Sequence, residues 1–130
     1  MNHKIEEFNL LIEKMKNSNI LVIIEGRRDR AALEKLGIMN LMELSKEPLF
    51  QIVEEISSSN DECIILTDLD KKGRELYGKL SSDLQKNGVK INNKLREFLF
   101  RNTKLRQIEG ITSSTQFENL PNTTPTQTAG

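Results

Sequence analysis

Glu25, Asp68 and Asp70 are the residues whose type and spacing best suit them to chemistry. Glu25 follows the aliphatic run Ile20-Leu-Val-Ile-Ile24 and precedes Gly26. Asp68 and Asp70 follow Cys63-Ile-Ile-Leu-Thr67 and precede Lys71-Lys72-Gly73-Arg74. Two carboxylates two positions apart in extended chain project to the same side, so Asp68 and Asp70 can share one cation, and an acid from another strand completes the cluster. Three carboxylates brought together repel one another unless a hard divalent cation shares them. Mg²⁺ is the simplest choice, since it keeps several waters and takes few protein carboxylates beside substrate phosphates. One or two ions fit this reading, with Mn²⁺ as a substitute.

Each candidate also has a plainer role. Glu25 could be a helix cap or a surface acid, although Gly26 favours close approach of backbone or substrate. Asp29 falls in the first turn of the next helix, where it meets the macrodipole; a metal or water-bridging role is equally open. Gly73 relieves crowding at a helix start and leaves backbone N–H groups free to face an anion. Lys71, Lys72 and Arg74 either neutralise phosphates or are solvated side chains. Cys63 reads as a small core residue, Tyr77 as a packing residue, and His3, the single histidine, lies near the chain end, away from any catalytic pair.

The elements that must position these groups are legible from periodicity. Ile5, Phe8, Leu11, Ile12 and Met15 predict an amphipathic helix over 4–16. Strands are expected at 20–24 and 62–67, whose continuous aliphatic character suits burial on both faces. Helices are expected over 27–36, ended by Gly37, then after Ser45 with Pro48 in the first turn, over 73–86, and over 93–101. Asn87-Gly88 marks a turn. Residues 38–41 and 89–91 are short strand candidates, and Leu105 to Ile108 a marginal last one. Strands alternating with helices argue for βαβ units and a mostly parallel sheet, whose ligands collect beyond the carboxyl ends of the strands.

At 130 residues the chain supports one domain with an aliphatic core, since it has five Phe, one Tyr and no Trp. Nothing approaches the roughly 20 apolar residues of a membrane span, the N-terminus does not read as a secretory signal, and one cysteine fits a reducing, cytoplasmic setting. The net charge of zero conceals an asymmetry. Residues 1–70 carry 8 Lys and Arg against 14 Asp and Glu, whereas residues 71–110 carry 11 against 4. Acids that hold a cation followed by bases that hold a polyanion suit phosphate chemistry; basic residues decorating solvated helix faces explain the counts equally well. From Thr112 the composition turns to Thr, Ser, Asn, Gln and Pro, so 112–130 is expected to be a disordered polar tail.

The two motifs together resemble those of the Toprim domain, the metal-binding module of topoisomerases, bacterial-type primases and small nucleases. Its first motif, a strand ending in glutamate and glycine, is matched by Val22-Ile-Ile-Glu25-Gly26, with Asp29 and Ala32-Leu33 in familiar places. Its second, a strand ending in D-x-D with a glycine nearby, is matched by Thr67-Asp68-Leu69-Asp70-Lys-Lys-Gly73. The likeness spans roughly 18–110 and is greatest to small stand-alone archaeal Toprim proteins and to the nuclease that matures 5S ribosomal RNA. It implies a Rossmann-like, mostly parallel four-stranded sheet flanked by helices, with an N-terminal helix at 1–17 and the Toprim domain at 18–111. It also implies Glu25 as general acid or base and metal ligand, Asp68 and Asp70 as Mg²⁺ ligands, and phosphodiester chemistry on RNA or DNA. This chain lacks the tyrosine, zinc and helicase domains of topoisomerases and primases, and the extra substrate-binding region of the ribosomal nuclease.

Two functions from different classes follow. One is a Mg²⁺-dependent nuclease or related phosphotransfer enzyme, a hydrolase in its simplest form. The other is a non-catalytic module that binds RNA or DNA through metal and the basic segment 71–106. Haloacid-dehalogenase-type phosphohydrolases also carry D-x-D after a strand, but near the N-terminus and continuing into threonine or valine. Phosphorylation-dependent receiver domains carry an acidic pair after the first strand, where this chain has one glutamate and a glycine.

Overall fold

A computed structural model of the protein describes residues 3–44 and 46–113. The expected disordered tail therefore lies, beyond Ser113, outside the described residues, as does Ser45 ahead of the third helix.

Helix α1 (His3–Ser18) leads into strand β1 (Leu21–Ile24), α2 (Arg27–Lys35), β2 (Leu41–Glu43), α3 (Leu49–Ser59), β3 (Glu62–Leu66), α4 (Lys71–Lys86), β4 (Lys90–Ile91) and α5 (Lys94–Asn102), and a 3₁₀ turn at Ile108–Gly110 follows. The four strands form one sheet in the order β2-β1-β3-β4, and every pairing is parallel. The expected α/β architecture, with a parallel sheet flanked by helices and an N-terminal helix, is the one observed.

The aliphatic runs explain the layering. Side chains alternate across a strand, so Val22, Ile24, Ile64 and Leu66 face one side, where α1, α2 and α5 supply Phe8, Ile12, Leu33, Phe98 and Leu99. Leu21, Ile23, Cys63 and Ile65 face the other, against Ile52, Val53 and Ile56 of α3 and Leu80 and Leu84 of α4. With both faces covered, β1 and the core of β3 have no room for polar positions, and Val22, Ile23, Ile24 and Cys63 are fully buried. Cys63 is thus a core residue, as expected.

The register sets the site. Ile24 pairs with Leu66, so β1 and β3 end side by side and pointing the same way, and the residues just beyond them emerge at one rim.

Four details differ from the sequence reading. The second strand in chain order, β2, begins at Leu41, because Ile38 is buried in the core ahead of it. Pro48 stands at the N-cap, immediately before α3, and its carbonyl accepts the first helical bonds from Gln51 and Ile52. Helix α4 starts at Lys71, two residues early, because Asp70 caps it. Finally, Leu105 to Ile108 is no strand. Leu69 N–H donates to the Arg106 carbonyl at 2.6 Å, but the segment turns into the 3₁₀ turn, which buries Ile108 and Ile111 against α2 and the sheet.

Candidate active site at the carboxyl rim of the sheet

Glu25 is the first residue beyond β1, and its Oε2 accepts a hydrogen bond from the backbone N–H of Asp68 at 2.8 Å. Two acids distant in sequence are thereby held at neighbouring strand ends. The Asp68 carboxylate is itself anchored, since Oδ1 accepts from the N–H of Ile108 at 2.8 Å. The 3₁₀ turn after α5 therefore closes one side of the rim.

Asp29 joins this group from the first turn of α2. Its Oδ2 accepts from the N–H of Gly26 at 3.2 Å, which satisfies a donor ahead of the helix. It is buried, and burial together with the charges of Asp68 and Glu25 pushes its carboxyl up to about 6. The Asp68 carboxyl is raised as well, by burial first and then by Glu25, Asp70 and Glu109, against the lowering bond from Ile108. Like charges that cannot separate disfavour ionisation, and both aspartates register that pressure.

Asp70 sits apart from this pair in its bonding. It is the N-cap of α4, with Oδ1 accepting from Gly73 N–H at 2.8 Å. The expectation that Gly73 leaves its N–H free for an anion is thus corrected: that donor is taken by Asp70. The expected relief of crowding at the helix start is observed, because a Cβ at residue 73 would collide with the backbone carbonyl of Asp68. Thr67 Oγ1 donates to the Gly73 carbonyl at 2.7 Å, so the turn is tied to the start of α4 on two sides. Gly26, in contrast, is extended, with open space where a Cβ would stand.

Asp68 and Asp70 accordingly do not share one partner; each engages a different backbone amide with one oxygen. Among the described residues no three His, Cys, Asp or Glu side chains form a ready-made ligand set. Lys71, Lys72 and Arg74 are exposed on the first turn of α4, immediately beyond the acids.

Arg96 was hidden in the sequence. The pattern of α5 marks it only as one of several bases, yet it is buried. Its guanidinium donates to the carbonyls of Thr67 at 2.6 Å and Asp68 at 3.1 Å, and lies 4.5 Å from the centre of the Tyr77 ring. Burial lowers its pKa, while Tyr77, Glu25 and Asp68 favour its charge. Tyr77 does more than pack: its hydroxyl donates to the amide oxygen Asn93 Oδ1 at 2.6 Å. The only advance signal for Arg96 is its position next to Leu95 on the inward face of α5.

No family model matches the chain. It is 39% identical over 107 residues to a UPF0292 protein of Pyrococcus horikoshii, covering 82% of this chain and 80% of that one. A UPF0292 protein of Methanocaldococcus jannaschii is 33% identical over 117 residues, covering 83% and 91%. Among solved structures, a putative protein from Aquifex aeolicus superposes with a TM-score of 0.70 at 26% identity, over 80% of this chain and 94% of that one.

Proposed function

The chain belongs to the UPF0292 family, and we propose that this member is a Toprim-type, Mg²⁺-dependent protein that cleaves or transfers phosphodiesters in nucleic acid. The observation that carries the reading is the hydrogen bond from Asp68 N–H to Glu25. It joins the two motif acids at the rim where ligands of parallel sheets collect.

The residues fit a hard divalent cation. Glu25, Asp68 and Asp70 offer it oxygen donors, and the raised carboxyls of Asp29 and Asp68 reflect burial together with neighbouring negative charge. Mg²⁺ needs one or two protein carboxylates and completes its shell with water and phosphate oxygens, so a pre-built cage is not required. Asp68 and Asp70 each have a second oxygen beyond the one engaged by an amide, and with Glu25 they would hold the ion. When bound, the cation supplies Lewis-acid stabilisation of charge on the phosphoryl group. Glu25 moves the proton to or from the attacking or leaving oxygen. Lys71, Lys72 and Arg74 hold the flanking phosphates electrostatically, and Asp29 stays a second acid behind the ligands, next to Gly26.

A non-catalytic module that binds RNA or DNA is the second reading, favoured by the engagement of Asp68 and Asp70 with backbone amides. A cleavage screen separates the two. Structured RNA, single-stranded DNA and duplex DNA are incubated with Mg²⁺ or Mn²⁺, with Glu25→Gln alongside. Metal-dependent cleavage absent from the variant supports the enzyme; salt-sensitive binding without turnover supports the module. Cleavage by the variant at the wild-type rate would falsify the role of Glu25. Among the described residues no helix is long and apolar enough to cross a membrane, and a cytoplasmic site of action is part of the same proposal.

A further inference from the structure

Beside the acidic rim, between α4 and α5, runs a groove of about 420 Å³, of which the chemistry above uses Arg74 alone. Leu69, Arg74, Tyr77, Arg96, Phe100 and Arg101 line it. Leu69 stands between Asp68 and Asp70 in the chain, so the groove begins where the acids end.

Two features of the groove need a ligand to make sense together. Phe100 is 54% exposed on a helix whose neighbouring positions, Leu95, Phe98 and Leu99, fill the core. Its ring therefore adds nothing to that core and presents an aromatic surface to the groove. Around it stand the cations Arg74 and Arg101, both exposed, against a single acid, Glu97. The floor is rigid, because the Arg96 guanidinium lies over the Tyr77 ring and the Tyr77 hydroxyl is fixed by Asn93. An aromatic wall within a cationic groove is the arrangement that holds unpaired bases, with the ring taking a base face and the cations tracking the backbone.

We infer that this groove is a base-stacking subsite, in which one unpaired nucleotide stacks on Phe100 with its phosphate held by Arg101 and Arg74, so that the substrate strand enters the rim single-stranded. This rests on the reading of the rim as a site for nucleic acid and deepens it by selecting the strand state. Away from its ends, a duplex offers Phe100 no free base face without unstacking, so selection follows from the wall itself. Arg74, one helical turn after the capping Asp70, joins the groove to the acids.

The test is fluorescence anisotropy with a labelled single-stranded oligonucleotide, as DNA and as RNA, and with its duplex, in EDTA so that binding is read without metal. Phe100→Ala is expected to weaken single-strand binding about tenfold and leave duplex binding unchanged, with Phe100→Trp restoring the affinity. Arg101→Gln is expected to weaken binding and flatten its dependence on salt. Preference for one sugar identifies the strand as DNA or RNA and supports the subsite either way. Wild-type affinity in Phe100→Ala, or equal loss for single strand and duplex, overturns the inference. A change of oligomeric state in Phe100→Ala on sedimentation, with affinity intact, overturns it in favour of an interface between copies. Loss of single-strand binding in Phe100→Ala without any metal-dependent cleavage by wild type leaves the subsite standing and removes the enzyme. Cleavage unaffected by Phe100→Ala, with unchanged binding, does the reverse.

Discussion

The Glu25 carboxylate accepts from the Asp68 backbone N–H at 2.8 Å, across 43 residues of chain. One interaction thus fixes both where the glutamate points and where the second acidic turn lies. Glu25→Gln retains an amide oxygen that can accept the same bond, so its urea midpoint should stay near wild type while cleavage is lost. Glu25→Ala leaves the Asp68 donor without its partner and is expected to cost about 1–3 kcal/mol. Equal stability of the two variants would mean that the bond contributes nothing to the fold.

Asp29 makes stability depend on pH. Its carboxyl is raised from 3.8 to about 6 in the folded protein, so the native state holds a proton that the unfolded chain releases earlier. The contribution of Asp29 is therefore most favourable below about pH 4 and declines as pH rises to about 6, by an amount on the order of 2–3 kcal/mol. Asp68, also raised, acts in the same direction. Chemical denaturation across this window should show a shallower slope for Asp29→Asn, whose amide oxygen can keep the bond from Gly26. An unchanged slope would place the titration elsewhere.

A cation held by the rim must stabilise the folded state that holds it. At ten times its dissociation constant, Mg²⁺ should raise stability by about 1.4 kcal/mol, read as a higher Tm that EDTA reverses. Asp68→Asn and Asp70→Asn should each reduce the shift. If KCl at matched ionic strength raises the Tm as much, screening rather than coordination explains it.

Gly73 admits no side chain. Ala at this position drives its Cβ into the Asp68 carbonyl, and backbone cannot yield as a flexible side chain does. Gly73→Ala should destabilise by about 3 kcal/mol and disturb the Asp68 turn, whereas Gly26→Ala, facing open space, should fold at close to wild-type stability. Comparable midpoints for the two would show that the turn can shift.

Arg96 supports that turn from beneath. Arg96→Met removes the donors to the Thr67 and Asp68 carbonyls and should cost about 3 kcal/mol, at 1–3 kcal/mol per buried group left unsatisfied. Arg96→Lys cannot reach both with one planar fork and should recover only part. Full recovery by lysine would mean that charge alone matters.

The parts of the fold that were legible share a physical cause. β1 and β3 are aliphatic on both faces because helices cover both, and that burial writes itself into the sequence as unbroken runs. Their common direction, together with the residue types that follow, also revealed Glu25 and Asp68 as neighbours. The remainder depends on tertiary contacts that leave no local pattern. Leu105 and Ile108 have the spacing of a strand, yet their burial comes from packing under an irregular turn. Arg96 looks like any helix surface base, because its partners are carbonyls 28 and more residues away. For Gly73 the crowding at the helix start was legible, but the fate of its N–H was not, since the cap of its own helix consumes that donor.

The sheet's outer members are brief. β2 spans three residues and β4 two, so each flank offers another copy of the chain very little unpaired backbone to dock against. Long flat margins are where proteins recruit their own copies into fibrils. Here the longest strands, β1 and β3, lie inside, and the molecule carries its most β-prone segments without exposing them to self-templated growth.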